Sequence, residues 1–149
     1  MKVWLIPLLL IAAVAVSGCA VTNTPTEVPE FAKTEVLLYS NPIMDSVMLA
    51  MNSGNYGLFS ANFSQAMKSK INSEAFDRLI SALRSSVGKY VSRDSAAEVM
   101  EIGGYYRVTY TTQFTDDNPV YVIMSFKKGD SSNLVEGLFF NSKKLSGTI

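Results

Sequence analysis

The chain has 149 residues, sets 13 basic against 13 acidic side chains, and contains one cysteine and no histidine. A near-zero net charge leaves no electrostatic footprint for DNA or RNA, so no nucleic-acid partner is expected. Without histidine the usual general base and commonest metal ligand are missing, and one cysteine cannot complete a zinc or iron–sulfur site, so no metal or cofactor is expected.

Met1-Lys2 is a positive start, Val3 to Val16 an apolar run of about 14 residues, and Ser17-Gly18-Cys19 a small-residue exit, the three-part layout of a secretory signal. The run falls short of the roughly 20 apolar residues that cross a hydrocarbon core, and Pro7 interrupts it, so a permanent transmembrane helix is the weaker reading. The box Val16-Ser17-Gly18-Cys19 resembles the bacterial and archaeal lipobox, with Val16 standing where leucine is commonest. In such a box the thiol takes up diacylglycerol and the cysteine becomes the mature N-terminus. Two acyl chains anchor stably where one is marginal, because each buried methylene contributes about 0.8 kcal/mol. The alternative is an ordinary secretory signal with an incidental cysteine.

Residues 20–34 are polar, carry Pro25 and Pro29 and show no helical or strand period, which reads as a tether. Ser40-Asn41-Pro42 reads as a helix start: Asn41 is a good N-cap, Pro42 suits the first helical position, and Asp45 complements the helix dipole. Ile43, Met44, Val47, Met48 and Met51 then recur on one face up to Gly54, a stripe expected to be core. Residues 56–63 suggest a short helical turn and a bend, and 64–71 another short helix. Asn62-Phe63-Ser64 fits the glycosylation triplet, which matters only in a host that modifies exported proteins. A clear helix is expected from Ser73 to about Val87, capped by Asn72 or Ser73, with Phe76, Leu79, Ile80 and Leu83 on its inner face.

Beyond Gly88 the period changes to alternation. Strands are expected over Tyr90–Glu101, Tyr105–Phe114, Val120–Lys127 and Asn133–Asn141, joined by short Gly, Asp and Asn turns into an antiparallel meander. The fold class is therefore α+β, with N-terminal helices packed on one face of a four-stranded sheet whose other face is largely wet. The expected organisation is a lipoprotein signal peptide over 1–18, a lipidated tether over 19–40 and a single domain over 41–149, held at the extracytoplasmic face of a membrane.

The segments Ser40-Asn-Pro-Ile, Met51-Asn-Ser-Gly-Asn-Tyr56, Phe59-Ser-Ala-Asn-Phe63-Ser, Val87-Gly-Lys-Tyr90, Tyr105-Tyr-Arg-Val-Thr-Tyr110 and Glu136-Gly-Leu-Phe-Phe140 together resemble a prokaryotic family, domain of unknown function 3887. The resemblance covers about Asn41 to Ser142. It implies a fold similar to the cystatin-like and nuclear-transport-factor-2-like proteins, with helices across a curved sheet and often a conical pocket. It implies an accessory or binding module with no agreed catalytic residues.

Three functions are weighed on these residues. A binding module would take an apolar or mixed ligand, or an envelope protein, between helices and sheet, with Tyr106, Tyr110, Phe114, Met124 and Phe139 as its wall. The alternative role for those side chains is plain core. A small isomerase- or dehydratase-like enzyme would need a carboxylate with a raised pKa there, and Glu136, in step with Leu134, Leu138 and Phe140, is the candidate. If Val135, Gly137 and Phe139 face the helices instead, Glu136 lies in water. An assembly role would use the sheet edge or the methionine face. The lysine pairs Lys68/Lys70, Lys127-Lys128 and Lys143-Lys144 offer at most scattered headgroup contacts. Binding or assembly ranks above catalysis. Cys19→Ser is expected to abolish metabolic labelling with lipid and to release or misprocess the protein; retained labelling and membrane association would overturn the lipobox.

Overall fold

The computed structural model describes residues 23–146. The signal segment and Cys19 lie outside the described residues. Strand β1 (Thr26–Glu27) is followed by helices α1 (Glu30–Ser53), α2 (Tyr56–Phe59), α3 (Gln65–Lys70) and α4 (Ser73–Ser86). Strands β2 (Tyr90–Ile102), β3 (Tyr105–Phe114), β4 (Val120–Lys127) and β5 (Val135–Asn141) come next, and a short α5 (Lys143–Ser146) closes the described chain. Among the described residues no helix is long and apolar enough to cross a membrane.

The sheet is an antiparallel meander in the order β1-β2-β3-β4-β5. Among the described residues it has five strands and not the expected four, because Thr26 and Glu27 pair with Glu101 and Met100. Gly103 and Gly104, both at positive φ, make the tight turn between β2 and β3, the backbone a two-residue hairpin requires. Beyond its second bulge, β2 pairs in unbroken register with β3, from Ala97 opposite Tyr110 to Ile102 opposite Tyr105.

The first helix differs most from expectation. It starts at Glu30 after Pro29, without a side-chain cap, and runs 24 residues with Pro42 in its interior and not at its start. Residues 30–40 therefore belong to the folded domain and shorten the tether. The apolar register explains why the helix continues: Val36 and Ser40 are buried on the same face as Ile43, Met44, Val47, Met48 and Met51. Proline removes only the bond to the carbonyl of Leu38, four residues back. Leu38 and Pro42 are both exposed, so that carbonyl lies where water can reach it. Asn41, freed from its expected cap, keeps a buried Oδ1 without a hydrogen-bond partner among the described residues.

The other helices follow their sequence signals. Asn55, Ser64 and Asn72 cap α2, α3 and α4 by accepting from Leu58, Met67 and Ala75 N–H groups. Phe76, Ile80 and Leu83 face inward from α4. Phe59 bridges two other rings, with centroids 4.8 Å from Phe63 and 4.4 Å from Phe76. The methionine stripe of α1 joins these rings and the inner face of β3 and β4 in one core, as the spacing predicts.

After α4, Gly88 takes φ +84°, and a Cβ there would overlap the Thr115 hydroxyl and crowd the Asp116 carboxylate. The Thr115 hydroxyl is fixed because it accepts from the Lys89 N–H at 3.0 Å. Gly88→Ala is therefore expected to lower the unfolding free energy by about 2 kcal/mol or more, combining backbone strain with a steric clash. Urea denaturation should show a lower midpoint at an unchanged slope; a midpoint within error of wild type would remove the constraint.

Candidate functional site

The side of the sheet that faces the helices is filled. Tyr110 and Met124 are completely buried and Phe114 nearly so, and Tyr106 packs half-buried at the rim of the same core. The void beside Phe114 is about 10 Å³, at the lower limit for one water. These four side chains form core packing where the sequence expectation drew a ligand wall. Phe139, the fifth expected wall residue, lies on the opposite face and is 63% exposed.

Three polar contacts tie α1 to this side, the first from Asn52 Nδ2, which donates to the Tyr90 carbonyl at 2.8 Å. The Tyr110 hydroxyl donates to Ser40 Oγ at 2.8 Å, both groups fully buried. Arg93 grips Asp45 through two bonds, Nε to Oδ1 at 2.7 Å and Nη2 to Oδ2 at 3.1 Å, with its guanidinium 5.5 Å from the Tyr110 ring centre. Such a fork is the stronger form of ion pair. The Asp45 bond in turn holds the Arg93 pKa above its ordinary value.

The outer face carries the candidate site. Arg107 on β3, Ser125 on β4 and Gly137 on β5 stand side by side across three strands. The next outward row is Thr109, Ile123 and Phe139, and on the other flank Ile102 sits beside Tyr105. Small residues in the middle row and large apolar ones beside it leave a groove of about 610 Å³, within the usual range for small-molecule sites.

One end of the groove is built by a stitch between α3 and β5. The loop before α3 pairs with the start of β5: Val135 N–H donates to the Asn62 carbonyl at 2.9 Å and Ser64 N–H to the Val135 carbonyl at 3.1 Å. Ser64 Oγ accepts from Met67 N–H and donates its own proton to Glu136 Oε2 at 2.8 Å, so one hydroxyl caps the helix and holds the carboxylate. Ala66 and Lys70, four residues apart on α3, then wall the groove.

A register shift on β5 decides where Glu136 points. Val135 pairs with Phe126 and faces the core, while Gly137 pairs with Ser125 and faces out, so Glu136 occupies the extra position of a bulge. Leu138 and Phe140 pack toward the core, and Gly137 and Phe139 face outward. Glu136 is thus half-buried at the end of the outer groove and not inside the helix–sheet space, and the expectation that Phe139 faces the helices is also corrected.

The groove is lined by two cations without an ion pair among the described residues, Arg107 and Lys70. Lys128, another of the surface lysines, is instead paired with Glu101 at 2.7 Å. Asn62 is half-buried in the stitch between α3 and β5. No group of three potential metal ligands occurs among the described residues. What was missed from sequence is this outer face: Arg107, Ser125 and Lys70 carried no motif, and only the small residue Gly137 within a strand hinted at a bulge or close approach. No family model, curated protein or solved structure matches the chain.

Burial pushes the pKa of Tyr110 up to about 12, against smaller lowering effects of Ser40 and Arg93. Tyr39 is likewise raised to about 12, by burial first and Tyr106 second. A phenol whose folded pKa lies above its unfolded value favours the folded state fully below the unfolded value near 10, and that stabilisation is lost as pH rises toward 12. The unfolding free energy is expected to fall over that window. Tyr110→Phe should cost about 1 kcal/mol at neutral pH through the lost hydrogen bond and flatten the alkaline fall. Urea titrations at stepped pH measure both; an equally steep fall in the variant would overturn the assignment.

Proposed function

We propose that this chain is a lipid-anchored extracytoplasmic binding module whose ligand site is the outer groove of the sheet. The single observation that carries the reading is the groove's composition: an apolar wall from Ile123 and Phe139 with Arg107 and Lys70, neither ion-paired among the described residues, on its border. Sites for small ligands combine mostly apolar walls with a few placed polar groups. The lipobox around Cys19 supports the location, and the resemblance to the domain of unknown function 3887 family supports an accessory role without chemistry of its own. An assembly role with another envelope protein would use the same face, since Tyr121 and Phe139 are exposed there.

The isomerase- or dehydratase-like alternative has less support. It needs a carboxylate among the core-facing tyrosines, whereas Glu136 sits across the sheet from Tyr110 with one oxygen engaged by Ser64.

The groove is tested by filling it. A Cβ on Gly137 would meet Ser125 and Phe139 at ordinary contact distance, so a larger side chain there projects into the floor. The full chain in phosphatidylcholine nanodiscs is expected to bind an environment-sensitive naphthalene-sulfonate dye saturably, above the signal of empty discs. Gly137→Leu should remove that increment at a retained unfolding midpoint. An undiminished increment in the variant would sink the groove as the site.

A further inference from the structure

We propose that the groove takes a free monocarboxylate amphiphile, a single acyl chain whose carboxylate is held by Arg107 and whose tail lies along Ile123 and Phe139. This rests on the reading of the groove as the binding site and names its ligand class.

Charge selects the head. Arg107 and Lys70 are unpaired among the described residues, while Glu136 contributes one negative charge at the same groove, leaving one positive charge in excess. That excess balances a monoanion and under-balances a phosphomonoester, which carries close to two negative charges at neutral pH. A guanidinium presents a planar fork of donors that matches the two oxygens of a carboxylate, and nothing in the described chain occupies the fork of Arg107.

Shape selects the tail. With the carboxylate on Arg107 of β3, the tail has two interstrand spacings to cross to reach Phe139 on β5, about 10 Å. A medium-length acyl chain fits that span over the low middle row of Ser125 and Gly137.

Position supplies the source. Asn23 lies against the turn at Gly103, where a Cβ would come within 3.2 Å of its Oδ1. Gly103 follows Ile102, which lines the groove. Asn23 is four residue steps from Cys19, a reach of at most about 14 Å. A lipid on Cys19 would hold this end of the groove near the bilayer surface, where single-chain carboxylates partition.

The test uses the full chain in phosphatidylcholine nanodiscs and photolabels that share one diazirine-bearing chain but carry a carboxylate, a primary alcohol, an amine or a phosphate head. Labelled peptides are mapped by mass spectrometry, so label from the bilayer is separated from label in the groove. The carboxylate probe is expected to label β5 and α3 at least tenfold above the other three. Arg107→Gln should erase that preference and Lys70→Gln should reduce it; both residues are exposed and have no ion pair among the described residues, so the fold is retained. Equal groove labelling by all four heads, or a preference for phosphate, would overturn the ligand class while leaving the groove as a site. No groove labelling by any probe would overturn the site itself and the ligand class with it.

Discussion

The hydroxyl of Tyr110 lies in the middle of the core, where an unpaired polar group costs about 1–3 kcal/mol. Its partner, Ser40, is seventy residues away on α1, in a stretch whose composition reads as leading into a helix. To present Ser40 to Tyr110, α1 must be helical through Pro42 and begin well before it. Asp45, one turn further on, then reaches Arg93 on the irregular part of β2, where the ladder with β3 slips between Arg93 and Ala97. Arg93 is 16% and Asp45 56% exposed, and their two-bond fork fixes α1 against the strand least constrained by its own ladder.

Once α1 lies across the sheet in this way, its methionines and valines occupy the space that a pocket between helices and sheet would need. Met44, Met48 and Met124 are wholly buried, and flexible thioether chains fill irregular gaps well. The inner face is then a packed interior, and concavity has to arise elsewhere. It arises on the outer face because β5 carries a bulge at Glu136-Gly137 and because α3 is stitched to the start of that strand. The bulge aims a glycine outward opposite a serine, and the stitch brings Lys70 and Ala66 around the edge. Covering this end of β5 also protects an exposed sheet edge from pairing with other chains.

Much of the fold was legible. Strands β3 and β4 have the bounds that alternation predicts, and α4 starts at its predicted cap, because each signal there is local. The start of α1 was not legible from Asn41-Pro42, whose capping chemistry is favourable in isolation. The burial register from Val36 through Ser40 to Met44 overrides it, since one lost backbone bond on a wet face weighs less than a continuous buried stripe. Two-residue β1 has no period to detect. The candidate site was hidden for a different reason: alternation assumes an unbroken ladder, and a single bulge reverses the facing of every residue beyond it. Glu136 stands out in the sequence as a carboxylate in step with Leu134, Leu138 and Phe140, but its environment depended on that reversal.

The groove and Asn23, the first described residue, share one end of the sheet. Ile102, Tyr105, Glu136 and the start of α3 all sit at the end where β2 turns into β3 and where β5 begins, and Asn23 sits at the same end against Gly103. The connection from β4 to β5 also closes there, with Lys128 N–H donating to the Gly104 carbonyl at 3.0 Å and its ammonium paired to Glu101. The far end, with Gly88, Thr115 and α5, lies roughly ten residues of strand away, about 30 Å. A tether shortened by the early start of α1 leaves little freedom to reverse this arrangement, because β1 is already hydrogen-bonded to β2 at Thr26. A chain lipidated at Cys19 would therefore present the groove end of the sheet, and not its far end, to the membrane.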